Sequence, residues 1–558
     1  MKIAKIIIEN FRSIKGPLEI NLNQINALVG PNNVGKSNIL LALKKIFATK
    51  WLSVGAFDEK DVYQGNPEKD IIISVELEDP IEYKEIKSDP SSVAIKTLIF
   101  KYTHYKIGPS AGEPRLEKSC LDEGGKTPVV LSKKPQTGEK HQYKPIISIP
   151  QEVLEQIPVI FIDANRQLKD QLPKSKYSLL RQLLKDVNED FNSPQNTIEI
   201  ERQNGSKKVI ARKDFLNKLM ERAITLLKTE EFSTIEESIK TNILHQLGLN
   251  PKEENDIDFY FAPPTSSDLY ESLDLYIKEN GFSSNATELG GGFQNVIVMA
   301  ILKTFEEKKK KGAIFLIEEP ELYLHPQMQR FLYKTLRNIG KDNQIIYTTH
   351  SPHFVTIPEY NEVVLIAKDK NGTNKKTSNL SKNDISEEKM QKEFDPERNE
   401  LFFAKKLILA EGDTEKFCIP EFAKKMGVDF DNIGATLVEV GGKRNLLDFA
   451  KIAISFEIPT CIIYDEDSSD FRNDEKGEEQ KYNQSLDLLG TDDERVIVKK
   501  FKKKYEDELK KEIGEKEYQK LCQKYPNRTN AVRQKLIASD FEVKVPKFIE
   551  PIIQWLQS

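Results

Sequence analysis

The sequence predicts an α/β protein in two catalytic parts, and three observations carry that prediction. An apolar strand, Ile25-Asn26-Ala27-Leu28-Val29, runs straight into the loop Gly30-Pro31-Asn32-Asn33-Val34-Gly35-Lys36-Ser37, and helical apolar spacing (Ile39, Leu40, Leu43, Phe47) follows. A second alternation of strands and helices starts at Leu407-Ile408-Leu409, with acidic residues just beyond the strand ends. Between these parts, residues 371–400 are rich in Lys, Asn and Ser and read as a linker.

A chain of 558 residues can bury about two to four separate cores. Charged residues make up 31% and no apolar run nears the roughly 18 residues of a membrane span, so no membrane partner is expected. Met1-Lys2-Ile3-Ala4-Lys5 leads into an alternating strand rather than a signal peptide, which makes the cytoplasm the expected compartment. The four cysteines show no CxxC spacing, against a zinc ribbon or a disulfide framework. Any metal is then expected on carboxylates, which suits Mg2+ or Mn2+. A net charge of -5 gives no global attraction to nucleic acid. Basic runs at 308–311 and 499–504 are the local candidates, although each alone is more simply a solvated face.

In chain order, Ile3 to Glu9 reads as a strand, and β-branched stretches from Ile71 to Tyr105 read as antiparallel strands. Residues 159–163 form a buried-strand candidate. Helical spacing then dominates from Lys174 to Leu249, in short segments separated by breaks rather than long heptad arms. Ile314 to Ile317, Gln344 to Tyr347 and Thr460 to Tyr464 are further apolar strands. The expected organisation is a nucleotide-binding part at 1–173 and 261–370, a helical insert at 174–260, the linker at 371–400, and a second α/β domain at 401–558.

The glycine loop has the composition and context of a P-loop. Backbone N–H groups of Gly30, Asn32, Asn33 and Gly35 and the helix N-terminus can surround β- and γ-phosphates, Lys36 adds a point charge, and Ser37 can ligate Mg2+. This predicts ATP. Ile314-Phe315-Leu316-Ile317-Glu318-Glu319 ends a strand in two carboxylates, the first suited to hold Mg2+ and the second, Glu319, to orient attacking water as general base.

With Pro320-Glu321-Leu322-Tyr323-Leu324-His325-Pro326 after them, these motifs resemble the ATP-binding-cassette (ABC) ATPases. Leu289-Gly290-Gly291-Gly292-Phe293-Gln294 is similar to the ABC signature, and Thr349-His350-Ser351-Pro352 to the switch-histidine segment. The resemblance implies that Gly290, Gly291 and Gly292 act on nucleotide held by a second subunit, hence a homodimer or higher homo-oligomer, with the 174–260 insert as its dimerisation element.

The later domain carries Glu411-Gly412-Asp413-Thr414-Glu415 and Asp465-Glu466-Asp467. Four carboxylates, Glu411, Glu415, Asp465 and Asp467, at two neighbouring strand ends can hold one or two divalent ions for phosphodiester cleavage. This pattern resembles the topoisomerase-primase (Toprim) domain. Downstream of an ABC-type ATPase, and with residues 400–412 and Glu439-Val440-Gly441-Gly442, it resembles the overcoming-lysogenization-defect (OLD) nucleases. That resemblance implies DNA as substrate, a role in prokaryotic antiphage defence and, in Gabija-type systems, a helicase-like partner. It also implies a third acid and a lysine, for which Asp507 (within 506–508) and Lys535 are the candidates, although Leu536 stands where the family usually has proline. The alternatives are a RecF-like ATP-gated DNA clamp without nuclease activity, or Toprim chemistry of the primase or topoisomerase kind.

Overall fold

The computed structural model describes residues 1–558 apart from 48–51, 67, 87–91, 132–141, 165–166, 176–177, 202–204, 247–262, 280, 309–310, 381–384, 386–395, 467–472 and 503. The chain separates into two compact units, Met1–Pro158 with Lys311–Ser558, and Val159–Lys310.

In the first unit, five strands lie in the order Gly372–Thr377, Val363–Asp369, Ile25–Val29, Gln344–Thr349, Ile314–Ile317. Ile25–Val29 is parallel to both neighbours and all five of its residues are buried, which is why it reads as an unbroken apolar run rather than an alternation. Parallel strands deliver their C-terminal ends to one edge. Gly30, Glu318 and His350 each follow a strand of this sheet directly, so the topology gathers them there. A separate antiparallel sheet contains Ile3–Glu9 and Ile71–Tyr83, and the latter begins with strict buried and half-buried alternation.

The second alternation forms a four-stranded, all-parallel sheet in the order Ala435–Glu439, Lys406–Ala410, Thr460–Asp465, Val496–Phe501. The chain winds outward in one direction from Lys406–Ala410 and then reverses to place Thr460–Asp465 on its other side. The C-terminal ends of these two strands therefore flank the topological switch point, where side-chain chemistry in open parallel sheets collects. Phe422, Ile463, Phe501, Tyr505 and Ile537 help fill the core on one face of this sheet. Cys418 and Cys461 lie in the same core, and with Cys120 they are buried free thiols.

Two sequence expectations change. The first residues of the 371–400 segment are not linker: Gly372–Thr377 pairs antiparallel with Val363–Asp369 as the sheet's edge. An edge strand tolerates the polar Thr-Asn-Lys-Lys composition that suggested a linker. Pro396–Asn399 and Glu400–Phe403 are likewise helical turns.

The second unit takes in the expected helical segment together with its flanks. Helices Leu179–Asn192, Arg212–Leu227 and Glu230–Gln246 follow in order, and a β-hairpin, Thr197–Glu201 with Lys207–Ala211, joins the first two inside what was expected to be short helices separated by breaks. Its Thr-Ile-Glu-Ile-Glu alternation has period two, the pattern of a strand. No described helix is long and apolar enough to cross a membrane.

Candidate functional site: a phosphate loop and a carboxylate shelf

The glycine loop is shaped by close packing. A Cβ on Gly30 would lie 2.2 Å from the Ile366 carbonyl oxygen, and one on Gly35 would lie 2.4 Å from Thr373 Oγ1 and 2.5 Å from Ser13 Oγ. Both glycines also have positive φ, 155° and 108°. Thr373 Oγ1 lies 2.7 Å from both the Val34 carbonyl oxygen and Ser13 Oγ, and Asn38 Nδ2 donates to Ser13 Oγ at 2.7 Å. The edge strand thus braces the loop from behind, while Asn32, Asn33 and Ser37 remain exposed.

Lys36 is buried, with Nζ 2.8 Å from the carbonyl oxygens of Gly30 and Pro31 and 3.0 Å from His350 Nε2. Burial brings its ammonium down to about 8, against the raising effect of Glu319 and Glu321. His350 Nε2 also lies 3.3 Å from Glu319 Oε1. Burial, then Lys36, lower the His350 pKa, against the raising effect of Glu319. Glu318 ends its strand half-buried. Glu319 has φ 43°, a left-handed conformation that is strained for a non-glycine residue, and its N–H donates to the buried Thr348 Oγ1 at 3.0 Å.

Sequence reasoning missed Glu321. Its buried Oε1 accepts from Thr349 Oγ1 at 2.9 Å and from the His350 N–H, so this carboxylate sets the backbone on which His350 sits. Burial first of all pushes its pKa up, and its Oε2 has no hydrogen-bond partner.

Gly290, Gly291 and Gly292 belong to the second unit. Gly290 is the N-cap of helix Gly291–Glu307, and a Cβ at any of the three would meet nothing within 4 Å. Gln294 Nε2 ties the helix start to the carbonyls of Thr287 and Leu289. The helix therefore presents exposed N–H groups of the kind that receive anions.

At the second sheet's switch point, Glu411 Oε2 accepts from the Asp465 N–H at 3.3 Å, and the Gly442 N–H donates to the Glu411 carbonyl at 3.0 Å. Glu415, in the first turn of helix Asp413–Lys425, is buried. Burial is the main cause raising its pKa to about 7, and the charges of Glu506 and Glu411 add to it against backbone N–H bonds, including that of Gly412. Lys443 Nζ donates to the Asp465 carbonyl at 2.7 Å from the start of helix Lys443–Ser455.

Of the 506–508 acids, Glu506 is the one whose charge acts on Glu415. Glu506 Oε1 accepts from Thr414 Oγ1 at 3.4 Å and from Asn530 Nδ2, whereas Asp507 turns to Lys510, 3.6 Å away. Adjacent residues of the Tyr505–Ile513 helix leave it in different directions, so only one acid of the cluster can face Glu415. Lys535 is exposed and lies over the Phe417 ring at 5.7 Å, on a helix packed against the one bearing Glu415. Asp467 lies outside the described residues.

Among the described residues no three acidic, His or Cys side chains already converge closely enough to clasp an ion. The donor set is nonetheless all oxygen, and the mutual repulsion felt by Glu415 is of the kind a hard divalent cation relieves.

Comparison with known proteins agrees with both halves. The AAA ATPase domain family matches residues 1–355, and the overcoming lysogenization defect protein-like TOPRIM domain matches residues 402–467. The chain is 28% identical to the OLD nuclease of Thermus scotoductus over 83% of this chain and 82% of that one. It is 25% identical to the Old nuclease of Escherichia phage P2, over 96% and 90%. It is 22% identical to the endonuclease GajA of Bacillus cereus, over 79% and 71%. With a P-loop braced on a parallel sheet and a carboxylate shelf at the switch point of a second, the chain belongs to the AAA ATPase domain family, and a segment matching the overcoming lysogenization defect protein-like TOPRIM domain follows.

Proposed function

We propose that this protein is an ATP-regulated, metal-dependent endonuclease acting on DNA in prokaryotic antiphage defence. The observation that carries the reading is that Glu411 follows and Asp465 ends neighbouring parallel strands at the switch point, with Glu415 on the helix that follows Glu411, in a chain whose relatives are named as nucleases.

Glu411, Glu415, Asp465 and Glu506, with Asp467, are the residues that would hold Mg2+ or Mn2+. Such ions, when bound, stabilise the attacking and leaving oxygens of phosphodiester cleavage. Lys443 fixes the Asp465 backbone, and the Gly442 N–H fixes that of Glu411, so both acids are supported before substrate arrives. Lys535 supplies positive charge on the neighbouring helix for the negative charge that develops at the scissile phosphate.

In the ATPase half, Lys36 would exchange its contacts with two carbonyls and the His350 ring for phosphate oxygens. Ser37 and Glu318 are the residues that would hold an accompanying Mg2+, and Glu319 would orient water beside His350. The open start of helix Gly291–Glu307 receives the γ-phosphate of a second subunit's nucleotide, making the homodimer the hydrolytic unit. Phosphodiester cleavage is downhill, so ATP serves to select between cutting and non-cutting conformations.

The test is purified protein with supercoiled plasmid and Mg2+ or Mn2+. Asp465→Ala and Glu411→Ala are expected to abolish cleavage and leave ATP hydrolysis intact. Undiminished cleavage by both variants refutes the assignment of these acids, and a parent that does not cleave favours the clamp reading.

A further inference from the structure

We propose that Arg398 and Asn399 are positioning residues that tie the His350 switch loop to the Glu411 shelf, so that the nucleotide state sets the geometry of the cutting site. The inference rests on the ATP-regulated nuclease reading above and names the route of that regulation.

Asn399 is 1% exposed, and its Nδ2 donates to the carbonyls of Pro352 at 2.9 Å and Val355 at 2.8 Å. Those carbonyls bracket the single turn Pro352–Phe354, which begins two residues after His350. Phe354 is buried edge-on against Tyr333 and Tyr347, with centroids 5.8 and 6.2 Å away, so the turn is packed to move as one piece. At its other end sits His350, with its N–H on Glu321 and its ring against Lys36 and Glu319. A γ-phosphate that engages Lys36 and His350 therefore pulls on the segment that Asn399 grips.

The preceding residue faces the other site. Arg398 donates from Nε to the Glu439 carbonyl at 3.0 Å and from Nη2 to Glu439 Oε2 at 3.2 Å. Glu439 Oε1 in turn accepts the Gly441 N–H, and the next N–H, of Gly442, donates to the Glu411 carbonyl. Gly441 has φ 78°, and a Cβ there would lie 2.7 Å from Arg398 Nη2, so the guanidinium occupies the space against this turn. Two adjacent residues of one helical turn thus hold the phosphate-sensing loop and the carboxylate shelf together.

A second contact between these regions gives a control. Lys376 Nζ reaches the Glu457 carbonyl at 3.1 Å and Ser378 Oγ lies 2.8 Å from Ser455 Oγ, and neither pair touches the P-loop residues or the acids. Contiguity is coupling only if both sites bias the same element, which a measured ratio decides.

The experiment compares plasmid cleavage with Mn2+ at zero and at saturating ATP, beside ATP hydrolysis, for the full-length parent, Arg398→Gln, Asn399→Ala and Lys376→Ala. The parent ratio is expected to differ from one by about fivefold or more. Arg398→Gln and Asn399→Ala are expected to bring it to one while nucleotide-free cleavage and ATP hydrolysis persist, and Lys376→Ala to keep the parent ratio. Asn399 is deeply buried, so if its variant does not fold, Arg398→Gln alone decides. An unchanged ratio in Arg398→Gln, including one with uniformly slower cutting, overturns the proposal, as does a ratio that Lys376→Ala abolishes equally. A parent that does not cleave sinks the nuclease reading itself, and a parent that cleaves equally at both ATP levels sinks its regulation and this route with it.

Discussion

Glu321→Ala tests whether the switch histidine is held by a carboxylate that no motif assigns. The substitution removes the acceptor of two donors, Thr349 Oγ1 and the His350 N–H, and Thr349 is fully buried and cannot turn to water. Leaving a buried donor unsatisfied costs about 1–3 kcal/mol. Expressed as misplacement of His350 in the transition state, that range is about 5-fold to about 150-fold in the rate of ATP hydrolysis. Nucleotide affinity should change little, because Lys36 and the loop N–H groups are untouched. Glu321→Gln keeps an acceptor oxygen on the same stem and should retain most of the rate. The assay is steady-state hydrolysis with a separate nucleotide-binding titration and a thermal melt for each variant. Parent-level kcat in Glu321→Ala, or equal losses in the alanine and glutamine variants, would refute the reasoning.

Other consequences are as direct. Gly35→Ala forces a Cβ to within 2.4 Å of Thr373 Oγ1 at a φ of 108°, a clash of about 1–3 kcal/mol that should weaken ATP binding in a titration and that Thr373→Ala should partly relieve. Gly291→Asp puts charge at the open helix start, so hydrolysis should fall, and mixing it with Lys36→Ala protein should restore part of the rate through one intact composite site; full activity of Gly291→Asp alone excludes that site. Asp61 is fully buried, and although burial alone would raise its pKa, Lys45, Arg12 and the Asp58 N–H hold it below the ordinary carboxylate value. A depressed folded pKa gives stability that is complete above the unfolded value near about 4 and is lost as pH falls through the folded one. Asp61→Asn should therefore cost about 1–2 kcal/mol in urea unfolding at neutral pH, discounted for the exposure of Arg12, with a gap that closes in acid.

Which parts were legible in the sequence follows from how far apart their determinants lie. Strands buried on both faces of a parallel sheet leave apolar runs, and their C-terminal ends must emerge together, so Gly30, Glu318 and His350, and separately Glu411 and Asp465, could be grouped before any contact was known. The 372–377 edge strand was misread because an edge does not need an apolar face, and the 197–211 hairpin because its two-residue period was averaged into helical surroundings. Choosing between Glu506 and Asp507 requires the phase of one helix against another, which a run of consecutive acids does not encode. Ser13, Thr373, Glu321 and Asn399 share a different reason for being invisible: each acts through a hydrogen bond to a group 28 to 360 residues away, and none belongs to a type whose presence alone implies chemistry. Residues that would touch phosphate or metal are restricted to a few chemical types at fixed spacings, while residues that hold them need only an acceptor or donor in the right place. Control of one site by the other is therefore to be sought among residues of the second kind, where Arg398 and Asn399 stand, because a holder can alter the geometry of the acids without changing the reaction they perform.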